Sequence, residues 1–107
     1  MNKYCKDGFL TIRTRIPITE IEFSEVGHGW GDTETSQERR GTHYAELMKK
    51  GIVFPPVQVF GKRTSNDTYL LFDGHARVTA HKINNDKFIE VDITVVDNKG
   101  QSIKCKN

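Results

Sequence analysis

The 107-residue sequence has few of the features that mark several classes of protein. Its two cysteines, Cys5 and Cys105, lie near opposite ends without CxxC spacing, so neither a disulfide framework nor a zinc site is predicted. We expect free thiols, with a disulfide between the chain ends as the open alternative, because the termini of small domains often lie close together. No apolar run is long enough to span a membrane, and the start lacks the apolar segment of a secretion signal. We therefore expect a cytoplasmic protein without a membrane partner.

The sequence also has no large excess of positive or negative charge. The 16 Lys and Arg residues stand against 14 Asp and Glu residues, which leaves a formal net charge of +2. A protein whose main task is to bind a phosphate backbone usually concentrates far more basic charge. Composition thus permits nucleic acid as a partner without indicating it. The chain is long enough for one hydrophobic core, so we expect residues 1–107 to form a single domain.

Hydrophobic periodicity predicts an α+β protein. Residues 9–15 and 16–23 alternate apolar and polar side chains, as one or two short strands do. A loop with three glycines and Trp30 follows, and then a helix from about residue 37 to residue 50. Further strands are expected at residues 57–60 and 68–72 as a hairpin, at 89–96, and at 102–105, with a helix between Gly74 and residue 83.

The candidate functional site lies where the predicted strand ending at Phe72 passes through Asp73 and Gly74 into a helix. Such a junction presents unpaired backbone N–H groups and the positive end of the helix dipole to an anion. Gly74 would let the backbone approach a phosphate, and Arg77 could offer it a bidentate guanidinium. His75 could donate to the phosphate or act as acid or base. Asp73 fits a helix cap, a Mg²⁺ ligand or a base toward a hydroxyl nucleophile.

A plainer interpretation exists for each of these residues. Asp73 can simply cap the helix, Arg77 can pair with a surface carboxylate, and His75 can be solvated. His81, one turn beyond Arg77, and Trp30 in the glycine-rich loop are accessory candidates, and both have ordinary structural roles as alternatives. No metal site is predicted, because His75 and His81 are six residues apart and the i, i+4 spacing would be needed.

A block that runs from residue 44 to residue 95, about half of the chain, resembles the ParB/sulfiredoxin-like superfamily in its ParB-like nuclease branch. The segments that carry the resemblance are residues 44–51, 55–60, 69–80 and 89–95. In that family a helix leads to a "G…PV.V" strand, a second strand ends in a Gly-containing motif with Arg, and a helix and an "I.V.V" strand follow. The resemblance implies an α+β fold with a small mixed sheet and two or three helices. It also implies nucleotide phosphates near Gly74 and Arg77.

The sequence departs from two branches of this superfamily. Partition proteins read "GERR" where this chain has residues 74–77, so we do not expect CTP switching. Sulfiredoxins have their catalytic cysteine at the position of His75, so we do not expect sulfiredoxin chemistry. The chain ends soon after its last predicted strand, without a helix-turn-helix region. It therefore resembles the small stand-alone members found in phages, plasmids and other mobile elements.

The leading hypothesis is a small ParB-like domain that binds nucleotide or nucleic-acid phosphate through Gly74, His75 and Arg77. Phosphoryl transfer or nuclease activity would use Asp73 and His75, and whether the protein is an enzyme stays open. If this site needs cofactors, we expect Mg²⁺ together with a nucleoside triphosphate. The alternative is a non-catalytic interaction module of a mobile element, which binds a host or element-encoded protein through the loop around Trp30.

Overall fold

The fold is taken from a computed structural model that describes residues 2–23, 34–62 and 68–105. Trp30 and the glycine-rich loop around it lie outside these residues. Neither α-helix in the described part of the chain has the length and apolar character that crossing a bilayer requires.

One mixed sheet and two α-helices make up the described fold. The strands are β1 (Asn2–Lys6), β2 (Phe9–Pro17), β3 (Ile21–Phe23), β4 (Val57–Phe60), β5 (Tyr69–Asp73) and β6 (Phe88–Thr94), and the helices are α1 (Glu34–Lys49) and α2 (His75–Ile83). The strand order is β1-β2-β6-β4-β5-β3. Two neighbouring pairs are parallel, β3 with β5 and β4 with β6, and the others are antiparallel. The predicted α+β class with a mixed sheet is confirmed.

The core lies on one face of this sheet. Strand register places Ile16 opposite Ile89 and Val57 beside Val91, so the apolar members of each alternating pattern share a face. The largest fully buried apolar side chains are Leu71, Val57, Val59, Val78 and Val91. Because Val78 belongs to this cluster, α2 packs on the same face, and α1 packs against α2. The opposite face holds polar residues of β2, β4 and β6 together with an aromatic pair, Phe60 and Phe72.

Most predicted elements appear with shifted ends. The hairpin is confirmed, because β4 and β5 pair antiparallel. The helix expected at residues 37–50 is Glu34–Lys49. The sequence did not predict β1, whose five residues are mostly exposed and carry little apolar pattern. In place of a strand, residues 102–105 make isolated bridges, from Lys104 to Phe9 and from Ser102 to Val96.

Cys5 and Cys105 form a disulfide with their Cα atoms 6.0 Å apart, so the expectation of two free thiols is wrong and the alternative holds. The reason is that both chain ends are bound to the beginning of β2. Cys5 pairs with Leu10 across β1 and β2, while the Leu10 amide donates to the Ile103 carbonyl at 2.8 Å. This pairing depends on long-range strand order and cannot be read from cysteine spacing.

Candidate functional site

The junction between β5 and α2 is a tight turn at Gly74. This residue is the N-cap of α2 with φ 108° and ψ 27°, a left-handed conformation that favours glycine. A Cβ at this position would lie 2.6 Å from Cγ1 of Val57, so the backbone passes directly against β4. The first-turn amides of α2 have no intrahelical acceptor by helix geometry. They lie at the carboxyl end of β5, as the sequence predicted.

Arg77 joins α2 to the segment that precedes β4. Its Nη1 donates to the carbonyl oxygens of Pro55 at 2.9 Å and Pro56 at 3.1 Å. Its Nη2 donates to Oδ2 of Asp73 at 3.3 Å. Asp73 therefore meets Arg77, while the capping position belongs to Gly74. With its side chain only 16% exposed, Arg77 has a structural role in addition to any role in binding.

Four polar residues from adjacent strands form a row across the sheet, which we call the polar row: Arg13, Asp92, Gln58 and Asp73. Arg13 of β2 lies opposite Asp92 of β6, and Asp92 lies beside Gln58 of β4. A register shift after Gln58 then places Asp73 beside it, although Leu71, two residues earlier, pairs with Val59. β-Bulges commonly redirect a side chain in this way. The row ends at the β5–α2 junction.

Asp92 is the centre of an ion-pair cluster. Its side chain is only 3% exposed and receives Nε of Arg13 on Oδ1 at 2.8 Å and Nη2 on Oδ2 at 3.1 Å. Lys6 of β1 donates to Oδ2 at 3.3 Å. The Arg13 guanidinium also lies 5.4 Å from the ring centre of Tyr4, with Nη2 3.3 Å from the Tyr4 hydroxyl. A bidentate carboxylate and an aromatic face together hold the guanidinium in one orientation.

The pKa values in this cluster agree with a permanently charged carboxylate. Burial by itself raises the pKa of Asp92, but hydrogen bonds from Arg13, Tyr4 and Lys6 outweigh it and hold the pKa below its ordinary value. Burial, followed by the Asp92 carboxylate, raises the pKa of the Tyr4 hydroxyl. The hydrogen bond to Asp92 is the largest cause of a raised pKa at Arg13. Asp92 is therefore poorly suited to act as a general base near neutral pH.

The polar row forms the floor of a cleft of about 400 Å³. The lining residues are Lys6, Arg13, Tyr44, Phe54, Pro55, Pro56, Gln58, Asp73, Arg77 and Asp92. Two of them, Tyr44 and Phe54, form an aromatic pair with ring centres 4.9 Å apart. The cleft thus combines three cationic side chains, two carboxylates and an aromatic wall. Such a set can bind an anion that also carries an aromatic group.

The structure brings only some of the predicted site residues together. Asp73, whose side chain is 60% exposed, and Arg77 line the cleft. His75 begins α2 but is 7% exposed and does not line it. His81 lines a different cavity, where its Nδ1 lies 2.8 Å from Oδ2 of Asp86. Arg77 and His81 therefore do not share one ligand face.

Sequence reasoning missed Lys6, Arg13, Gln58 and Asp92. One signal was present, because Asp92 interrupts a strand of β-branched residues and aspartate is depleted in strands. Only 2% of the Asp92 surface is exposed, however, and this burial results from the neighbouring strands, which the sequence does not reveal.

Residues 2–23, 34–62 and 68–105 bring no three His, Cys, Asp or Glu side chains together as a metal site. Any Mg²⁺ at the cleft would therefore need oxygen ligands from a bound phosphate besides Asp73, which is the usual mode for this ion.

Comparison with solved structures identifies the fold. The chain superposes on sulfiredoxin from Arabidopsis thaliana with a TM-score of 0.54 and 16% identity, covering 77% of this chain and 83% of that one. It superposes on the C-terminally truncated chromosome-partitioning protein ParB from Caulobacter crescentus, complexed with CTP-γ-S, with a TM-score of 0.59 and 17% identity over 82% of this chain and 47% of that one. A pNOB8-like ParB N-domain matches with a TM-score of 0.57 and 17% identity, over 83% of this chain and 32% of that one.

These superpositions establish a ParB/sulfiredoxin-like fold. The chain spans less than half of the length of the two ParB chains. No protein-family model matches the sequence, and no curated protein matches it.

Proposed function

We propose that the cleft binds the phosphate groups of a nucleotide or of nucleic acid. The observation that carries this proposal is the convergence of Lys6, Arg13 and Arg77 on one cleft beside the N-terminus of α2. Fixed cations and a helix N-terminus are the groups that proteins use for phosphate. The fold supports the proposal, because the ParB structure from Caulobacter crescentus holds CTP-γ-S.

Arg77 and Asp73 would control access to the phosphate. The two proline carbonyls hold one end of the Arg77 guanidinium, and Nη2 faces Asp73. A phosphate can replace the Asp73 carboxylate at Nη2, because that contact is long and Asp73 is exposed. Asp73 would be the residue that holds Mg²⁺ if the ion binds, and the ion would neutralise phosphate charge there. Gly74 would contribute indirectly, because its positive φ and the lack of a Cβ against Val57 allow the tight turn between Asp73 and Arg77.

The aromatic wall would contact the base of a nucleotide. Tyr44 and Phe54 line the same cleft as the cations, so a ligand held by its phosphate at Arg77 can place its base against these rings. Stacking of this kind contributes about 1–3 kcal/mol per base and discriminates weakly among bases. The cleft is therefore suited to nucleotides as a class.

Phosphoryl transfer or nuclease activity would depend on Asp73. Sequence reasoning assigned acid–base chemistry to Asp73 and His75, but His75 is buried outside the cleft. Asp73 is exposed at the cleft and could accept the proton of a hydroxyl nucleophile.

The first experiment measures binding of CTP, ATP, GTP and UTP by calorimetry, with and without Mg²⁺, for the parent and Asp73→Asn. We expect Asp73→Asn to bind about ten-fold more tightly without Mg²⁺, because the competing carboxylate is removed. The gain that the parent shows on adding Mg²⁺ should be lost. The matched control is Asp86→Asn, which changes an exposed carboxylate that pairs with His81 at another cavity.

Two results would contradict the proposal. One is the absence of binding both to the four nucleotides in either buffer and to single-stranded DNA. The other is equal behaviour of Asp73→Asn and Asp86→Asn. A single-stranded DNA oligonucleotide should be titrated in parallel at several salt concentrations, because backbone binding weakens steeply with salt as counterions are released. A steep salt slope together with no nucleotide binding would assign the cleft to nucleic acid.

A second candidate function, protein interaction, is favoured by an apolar surface. Val53 is 90% exposed, Phe88 54% and Ile52 52%, and all line a cavity of about 490 Å³ that also includes Met48. Exposed clusters of this kind mark interaction sites. The partner expected from the sequence is a protein of the host or of a mobile element. Val53→Asp should abolish such an association without affecting nucleotide affinity, as size-exclusion chromatography and calorimetry would show.

A further inference from the structure

The disulfide between Cys5 and Cys105 lies at the surface. Cys5 is exposed, and Cys105 is partly exposed. A thiolate can therefore reach the bond, and accessible disulfides are the ones that exchange readily. The bond joins residues that are 100 positions apart, and it holds β1 to the C-terminal segment.

Cys5 lies between two residues that contribute to the cleft. Tyr4 contacts the Arg13 guanidinium, and Lys6 pairs with Asp92. Tyr4, Cys5 and Lys6 all belong to β1, an edge strand whose neighbour in the described sheet is β2. Edge strands of mostly exposed residues have little apolar contact to retain them, and local opening of such elements costs little free energy.

We propose that the Cys5–Cys105 disulfide is a reversible redox site that controls the cleft by holding β1 in place. A dithiol reduces the bond, giving up two electrons and two protons and becoming a disulfide itself, while Cys5 and Cys105 become thiols. Without the bond, β1 separates from β2 more often. Lys6 and Tyr4 then leave the ion-pair cluster, and Arg13 loses the aromatic contact that orients it.

The change is confined to one edge of the molecule. The fully buried side chains Val57, Val59 and Leu71 belong to β4 and β5, on the far side of β6 from β1. The C-terminal segment keeps a hydrogen bond from Leu10 N of β2 to Ile103 O at 2.8 Å, and Cys105 N donates to Gly8 O in the turn before β2 at 2.9 Å. Reduction therefore frees β1 while the core sheet remains folded.

Hydrogen exchange measured by mass spectrometry tests the release of β1 without any ligand. The samples are the parent after air oxidation, the parent in dithiothreitol, and Cys5→Ser/Cys105→Ser in both buffers. We expect residues 2–6 to exchange at least about ten-fold faster in every sample that lacks the disulfide, through an opening that exposes β1 alone, whereas β4 should exchange only by global unfolding and follow the stability measured in urea. Lys3→Ser is the matched control, because it changes an exposed β1 residue and keeps the bond. It should stay protected until dithiothreitol is added.

The affinity for CTP with Mg²⁺ tests the effect on the cleft. We expect about ten-fold weaker binding after reduction, the effect of losing one charge-assisted contact. The affinity measurement rests on the proposed function, whereas the hydrogen-exchange measurement does not. The two experiments can therefore fail separately. The proposal is overturned by free thiols in the air-oxidised protein, by equal exchange in both redox states, or by an unchanged CTP affinity. Exchange of residues 2–6 at the same rate as β4 in the samples without the disulfide would also overturn it, since β1 would then open only when the whole fold unfolds.

Discussion

At the scale of single residues, Asp92 connects the fold to the cleft. Burying a carboxylate is costly unless cations and hydrogen-bond donors compensate for it. Here Arg13 and Lys6 approach from two different strands, and both remain partly exposed at their outer ends. The carboxylate therefore organises cations that still face the cleft. Its main contribution to binding is to position Arg13.

Asp92→Asn should lower the free energy of unfolding at pH 7 by about 2 kcal/mol, below the usual cost of breaking a buried pair because solvent screens Arg13 and Lys6. The folded-state pKa of Asp92 is lowered, so its stabilisation is present above the ordinary carboxyl pKa of about 3.9 and is lost as pH falls through the folded value. The free energy of unfolding, measured by urea denaturation from pH 7 to pH 2.5, should fall less with decreasing pH in the variant than in the parent. If the free energies of the variant and the parent fall in parallel with pH, Asp92 does not contribute to the loss of stability in acid.

Gly74→Ala should destabilise the protein by about 2–4 kcal/mol, since a side chain strains the positive φ and its Cβ meets Val57. Gly74→Val, with a larger β-branched side chain, should lose its fold before any effect on binding can be measured. A double-mutant cycle with Val57→Ala distinguishes the two causes, because it removes Cγ1 at 2.6 Å, keeps Cβ at 2.9 Å and leaves the strain, so it should relieve part of the contact. Additive free energies from thermal unfolding would show that the contact is unimportant.

At the scale of secondary-structure elements, α1 and α2 approach closely at Gly41. A Cβ on this residue would lie 2.5 Å from Cγ2 of Thr79 and 2.9 Å from its Cβ. Glycine in a helix interior costs about 1 kcal/mol relative to alanine, so close packing is the reason for it here. The crossing also includes Asn84, whose side-chain amide donates to the Ala45 carbonyl at 3.2 Å. This contact sets the position of α2, and with it that of Arg77.

Gly41→Ala should therefore lower stability by about 1–3 kcal/mol, although it raises helix propensity. Thr79→Ser is the compensating change, because it removes Cγ2 and keeps the hydroxyl hydrogen bond to the His75 carbonyl at 3.0 Å. The pair should recover part of the loss in chemical denaturation. A stabilising Gly41→Ala would mean that the helices separate easily and that this crossing does not position α2.

At the scale of the whole molecule, the disulfide closes almost the entire chain into one loop. Cross-links of such length stabilise mainly by restricting the unfolded state, commonly by about 2–4 kcal/mol. Cys5→Ser/Cys105→Ser should accordingly unfold at lower urea concentration while retaining a cooperative transition. Circular dichroism at matched temperatures would measure both. An unchanged midpoint would show that the unfolded chain does not gain freedom when the bond is absent.

The local sequence pattern was sufficient to predict those helices and strands whose structure depends on their own periodicity. The alternation at residues 89–96 predicted β6, and turn residues with apolar spacing predicted both helices and the β4–β5 hairpin. The junction at Asp73 and Gly74 was likewise found from adjacent residues. β1 was missed because an exposed edge strand carries no apolar face that could mark it.

Only the tertiary structure determined which residues of sequence-distant strands lie opposite each other. Arg13 and Asp92 are far apart in sequence and meet because β2 pairs with β6, and the bulge after Gln58 brings Asp73 into the same row. Strand order likewise joined Cys5 to Cys105. The sequence by itself determined the elements, the α+β class and the residues at the phosphate junction, because those depend on near neighbours. The cleft and its cation cluster depend on register between distant strands, and many sequence-distant pairings satisfy the same local pattern.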